Sequence, residues 1–213
     1  MNVVIPPHPW WTPDLDLTRG GDAYAELLST TRRLVDVVAG IDAPDSTIAE
    51  MAGEISRIAG KLQPYVTPDE TQIAGTRLDL PGRGHPTVVP YRPTSWTTNR
   101  MTARVTFTRA HLGEGAAVHG GVVSLLFDEV MGRFANHGRR PARTAYLHVN
   151  YRRIVPLEVE LEMVAEVERI EGRKLYVSAS VTQNGTVLAD GEGLFVVVPA
   201  GAVTTQQDET GKG

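Results

Sequence analysis

The chain has 213 residues, 41% hydrophobic and 22% charged, the make-up of an ordinary globular protein with one domain, or one domain and an extension. A net charge of −4 argues against general nucleic-acid binding, and the absence of cysteine excludes disulfides and Cys-ligated zinc. No run approaches the ~18 apolar residues of a membrane span, and the N-terminus has no basic segment leading into an apolar one, so a cytoplasmic protein is expected.

Residues 1–21 contain Pro and Trp and read as irregular. Asp22 can cap a helix running to about Ala39, with Leu27, Leu34, Val35 and Val38 on one stripe and Gly40 to end it. Thr47 and Glu50 fit a capping box for a second helix. Its Ile48, Met51, Ala52, Ile55, Ile58, Ala59 and Leu62 recur at three-four spacing, and Pro64 and Pro68 stop it. The two helices could pack on each other, on a sheet or across a dimer. Residues 69–98 are rich in Pro, Gly and Thr, with a short strand expected near Val88–Tyr91. From Met101 the pattern turns to strand: Ala103, Val105 and Phe107 alternate with Arg104, Thr106 and Thr108.

The segment from Val118 to Gly132 is the most informative. His119-Gly120-Gly121 reads as a helix start with uncovered backbone N–H groups. Val122, Val123, Leu125, Leu126, Phe127, Val130 and Met131 are apolar almost all round, so the helix is expected to be buried and to end near His137-Gly138. Asp128 is then a carboxylate in an apolar helix, costly unless it is paired or used. Gly121 and Asp128 share a face but lie about 10 Å apart along the axis. One reaction centre cannot touch both, because donors and bases must each sit ~3 Å from the reacting atoms. If both serve one substrate, they come from two copies of the helix, antiparallel across a two-fold axis. A homodimer with two composite sites follows as an expectation.

Strands are expected at about 144–152, 159–170, 174–183 and 187–198. Glu171-Gly172 and Asn184-Gly185 are hairpin turns, so the last three strands form an antiparallel meander. Strand, long apolar helix, then four strands describes an α+β chain of the hot-dog type: a curved antiparallel sheet wrapped around a central helix, with a helical N-terminal extension. The division is 1–98 extension, 99–199 hot-dog domain and 200–213 disordered tail.

The pattern His119-Gly120-Gly121-x6-Asp128-x3-Gly132 resembles the signature of hot-dog acyl-CoA thioesterases of the phenylacetate-pathway type. The run from Thr144 through Asn150-Tyr151-Arg152-Arg153 to Pro156, followed by Glu171-Gly172-Arg173-Lys174, is closer still to the thioesterase-superfamily-member branch. The resemblance covers roughly residues 100–198. It implies hydrolysis of an acyl-CoA with no cofactor beyond the coenzyme A of the substrate itself, in a homodimer or homotetramer. Asp128 would act as general base on water or attack the thioester directly. The Gly121 N–H would hold the thioester oxygen, strengthened by the helix dipole. Gly120 would assist or permit the turn, His119 would bond the thioester or orient the turn, and Thr144 would help hold the water or the acid.

Between Glu129 and Glu158 there is no acid, while Arg133, Arg139, Arg140, Arg143, Arg152 and Arg153 fall in that interval. Such a field suits the phosphates of coenzyme A. Arg173 and Lys174 are second-rank candidates for the same task. Glu129 reads as a solvent or interface acid, about 100° round the helix from Asp128, and Ser124 as packing. The six histidines show no metal-binding spacing, so no metal is expected. Two other readings of the same fold are an enoyl-thioester hydratase, whose motifs are missing, and a non-catalytic acyl-CoA sensor.

Overall fold

The computed structural model describes residue 16 and residues 18–68 and 71–198. The irregular reading of residues 1–21 falls mostly outside them, and the tail after Pro199 wholly outside. The elements run α1 (Gly21–Val38), α2 (Asp45–Leu62), β1 (Tyr91–Trp96), β2 (Arg100–Thr106), α3 (Gly120–Ala135), β3 (Ala142–Tyr151), β4 (Glu160–Glu171), β5 (Lys174–Gln183) and β6 (Thr186–Val197). The strands form one antiparallel sheet in the order β1-β2-β4-β5-β6-β3, with α3 packed against β3, β4, β5 and β6. This is the hot-dog arrangement that the element order implied.

The meander closes through the expected turns. Asn184 and Gly185 both take positive φ (50° and 77°), the geometry a two-residue hairpin needs to match strand twist. The helix lies on the sheet because of a paired pattern. On α3, Val123, Leu126, Phe127, Val130, Met131, Phe134 and Ala135 are buried. On β6, Gly191 and Gly193 leave the room those side chains fill. A Cβ at Gly191 would stand 2.6 Å from the His148 carbonyl oxygen and 3.1 Å from the Phe127 ring. Replacing Gly191 by alanine is therefore expected to destabilise the chain by about 1–3 kcal/mol, because the first neighbour is backbone and cannot yield. A urea midpoint unchanged by the substitution would contradict this.

Several sequence expectations need correction. The first strand is Tyr91–Trp96, not Val88–Tyr91: Val88 and Val89 are buried but precede the pairing with β2. Asp22 does not cap α1; Gly20 does, at φ 76°, and Asp22 sits in the first turn. The Thr47–Glu50 capping box does not form, because the N-cap of α2 is Pro44, three residues earlier. Pro44 cannot donate a backbone N–H, and its carbonyl accepts from Thr47 and Ile48. The central helix is not covered all round: Gly121, Leu125 and Asp128 are exposed. Its sheet side alone is apolar enough to be sealed by one chain.

The irregular stretch between α2 and β1 is held by arginine side chains rather than by a ladder. Arg32 donates to the carbonyls of Pro81, His85 and Val88. Arg77 donates to those of Arg19 and Gly21 and chelates Asp79 at 2.8 and 2.7 Å. Backbone acceptors in a loop need such partners when they are buried.

Three half-buried histidines contribute to the loss of stability in acid. Burial lowers the pKa of His85, His111 and His137 below the ordinary 6.5. His137 packs against Trp96, ring centroids 5.2 Å apart and tilted by 41°, and is flanked by Arg139 and Arg133. Below pH 6.5 the unfolded chain takes up protons that the folded one refuses, so stability falls as pH drops from 7 toward 5. Melting temperature against pH should slope downward across that window, and His137→Phe should flatten part of the slope.

Candidate active site

The His-Gly-Gly start and the acid lie on one helix, and the structure shows what each meets. His119 is the N-cap of α3: its Nδ1 accepts the Gly121 N–H at 3.0 Å. The Gly120 carbonyl accepts from Tyr151 Oη at 2.9 Å, and that hydroxyl also lies 2.7 Å from Ser124 Oγ. The end of β3 is thereby pinned on the start of α3. Seven residues on, Asp128 Oδ1 accepts a hydrogen bond from Thr144 Oγ1 at 3.1 Å. Thr144 stands beside a β-bulge at Ala145, which re-aims the strand here. Gly121, Leu125, Asp128 and Gly132 fall within about 60° of one another around the helix, a single open face.

Beside Asp128 lies a cavity of about 180 Å³ lined by Arg83, Glu129, Arg133, Asn136, Arg143, Thr144 and Phe195. Arg83 is the residue that sequence reasoning missed. It comes from the Pro-Gly-Arg-Gly-His-Pro segment and chelates Glu129 at 2.5 and 2.7 Å. The Arg83 and Glu129 side chains are 19% and 10% exposed. Glu129 is thus not a solvent or interface acid but half of a largely buried ion pair. Tyr91 Oη lies 3.5 Å from the same carboxylate, and burial pushes its hydroxyl up to about 12, so it stays a neutral donor. Gly82, Arg83 and Gly84 all take positive φ. The two glycines flanking an arginine were the available signal of a loop bent to aim that side chain.

The arginine interval does not form one field. Arg139 donates to the carbonyls of Phe134 and His137 at the end of α3, and to that of Thr98, where it closes the helix. Arg133 lies over the Trp96 ring at 5.8 Å. Arg152 is paired with Asp190 at 2.5 Å, and Asn150 donates to the same carboxylate, which holds the Asp190 carboxyl below its usual range. Arg140 and Arg153 are exposed. Arg143 and Lys174 both lie opposite Val196, so they share one end of the sheet with Asp128's partner Thr144 and with Arg173. Arg152 and Arg153 lie at the other end, nine residues along β3, about 30 Å away. Alternation and chain order carry charge along a strand to both of its ends, which a count along the sequence cannot reveal.

Residues 115–189 match the thioesterase superfamily model. The acyl-coenzyme A thioesterase THEM4 of Bos taurus is 29% identical over 86 residues, covering 39% of this chain and 35% of that protein. THEM4 of Mus musculus is 31% identical over 81 residues, covering 37% and 35%. The alignment thus spans about a third of the length of these curated relatives. A crystal structure of a thioesterase superfamily protein superposes with a TM-score of 0.71 at 26% identity, over 81% of this chain and 94% of that one. No helix among the described residues is long and apolar enough to cross a membrane. Residues 115–189 thus carry a match to the thioesterase superfamily, the hot-dog fold built around them agrees with it, and the similarity to the THEM4 acyl-coenzyme A thioesterases is distant.

Proposed function

We propose that this chain hydrolyses acyl-CoA thioesters in a homodimer whose sites combine two copies of α3. The observation that carries the reading is the Thr144–Asp128 hydrogen bond on an open helix face: a carboxylate oriented by a neighbour, beside a cavity, on a face its own sheet leaves uncovered. Asp128 takes a proton from water as the water attacks the thioester carbonyl. The oxyanion accepts the N–H of Gly121 from the other copy, at the positive end of that helix. Collapse of the tetrahedral intermediate breaks the C–S bond, and the thiolate leaves with the proton returned from Asp128. His119 holds that Gly121 N–H in the free chain, so it must turn aside when the oxygen arrives.

The unpaired edge of β3 supports the dimer. Among the described residues it pairs with β6 on one side only, and an open edge is a template for a second strand. Antiparallel α3 helices would set the Arg152–Arg153 end of one copy beside the Asp128–Arg143 end of the other. That reunites the two halves of the basic set around one coenzyme A. Arg153 is better disposed than Arg152, which Asp190 already engages. The test is release of free thiol from short, medium, long and aromatic acyl-CoAs by the full chain. Thiol release from at least one of them is expected; binding of acyl-CoA with no thiol release from any would sink the hydrolase reading and favour a sensor.

A further inference from the structure

Helix α2 is exposed along its whole length: none of its 18 residues is buried. Ile48, Met51, Ile55, Ile58 and Leu62 are each 38–49% exposed and follow a strict heptad, with Ile48, Ile55 and Leu62 at a and Met51 and Ile58 at d. Gly53 and Gly60 lie on the opposite face with nothing within 4 Å of a would-be Cβ, and they lower the intrinsic helicity. An 18-residue helix with two interior glycines is marginal in water by itself, since most helical stability comes from packing of an apolar face. A coiled-coil seam of this kind is built for another helix.

We propose that α2 pairs antiparallel with α2 of a second copy of this chain. Charge selects the partner and its direction. Asp45, Glu50 and Glu54 occupy the first half of the helix, and Arg57 and Lys61 the second. Two parallel copies would set like charges side by side, whereas antiparallel copies set acid against base. In the antiparallel register Met51 meets Leu62 and Ile55 meets Ile58. Glu54 then faces Lys61 at one flank, and Ala52 faces Ala59 at the other, where the small side chains allow close approach. The same charges argue against a lipid surface, because a membrane-lying helix carries an excess of Lys and Arg on its polar face. The pairing is independent of the thioesterase reading.

The cysteine-free chain makes the test clean. In the antiparallel pair, Ala52 and Ala59 of different chains are neighbours, while the two Ala52 residues are about 10 Å apart along the axis. A disulfide needs Cα atoms within ~7 Å. The full-length A52C/A59C double variant, oxidised with copper phenanthroline, is expected to run as a covalent dimer at least tenfold more abundant than in A52C or A59C alone. Adding Ile55→Glu should abolish the band while the far-UV circular dichroism of the sheet persists. Equal cross-linking of the single variants would mean a parallel pair and overturn the proposal. So would no cross-linking in any variant, including the case in which the wild type instead binds phosphatidylserine vesicles. Thiol release from acyl-CoA is read separately, so the two proposals fail by different measurements.

Discussion

Asp128→Asn is expected to slow acyl-CoA hydrolysis by about 10²- to 10⁴-fold, the usual worth of a positioned general base. Asparagine keeps the shape and can still accept from Thr144 Oγ1, so the variant removes the base and little else. Because Asp128 is exposed within its own chain and asparagine matches its shape, melting temperature should move by no more than about 2 °C. Thr144→Val is the companion. It leaves the carboxylate but frees it to rotate, and a loss of about tenfold in kcat/KM corresponds to one hydrogen bond of ~1.4 kcal/mol. The order of the effects matters more than either size. If Asp128→Asn retains wild-type turnover, Asp128 is a surface acid and the proposed chemistry is wrong. If it loses stability along with activity, the residue is structural instead.

Arg83→Ala is expected to be the most destabilising single change near the site. Removing one partner of a largely buried ion pair strands the other charge, at a cost of about 3 kcal/mol. For a chain of this size that lowers the melting temperature by roughly 6–12 °C. Arg83→Gly should cost less than Arg83→Ala, since the backbone there has φ 60° and glycine relieves the ~1 kcal/mol that a side chain adds in the left-handed region. The double variant Arg83→Ala with Glu129→Ala should be more stable than the sum of the singles, because neither charge is left alone. Denaturant titration of the four proteins measures the coupling, and strict additivity would show that the pair contributes nothing beyond its separate contacts. The pair also ties the loop before β1 to the helix that carries Asp128, so loosening it is expected to disturb the cavity wall as well as the fold.

The sequence by itself determined the period of most elements. Alternation at Ala103, Val105 and Phe107 marked β2, Asn184-Gly185 marked the last hairpin, and three-four spacing marked α2, all within a residue or two of the observed bounds. Those signals are local: each depends on neighbours in the chain whose geometry the backbone fixes. The pairing of Thr144 with Asp128 was reachable only through a family resemblance, because 16 residues and a bulge separate them. The tertiary structure alone decided three things. It turned Glu129 from a presumed surface acid into Arg83's buried partner, across 46 residues. It split the arginine interval between the two ends of β3 and spent Arg139 on closing α3. It left one face of an apolar-looking helix open, because hydropathy counts side chains without saying which of them the sheet can reach. Period and turn chemistry are properties of a chain segment, whereas burial and charge pairing depend on what the rest of the chain brings alongside it.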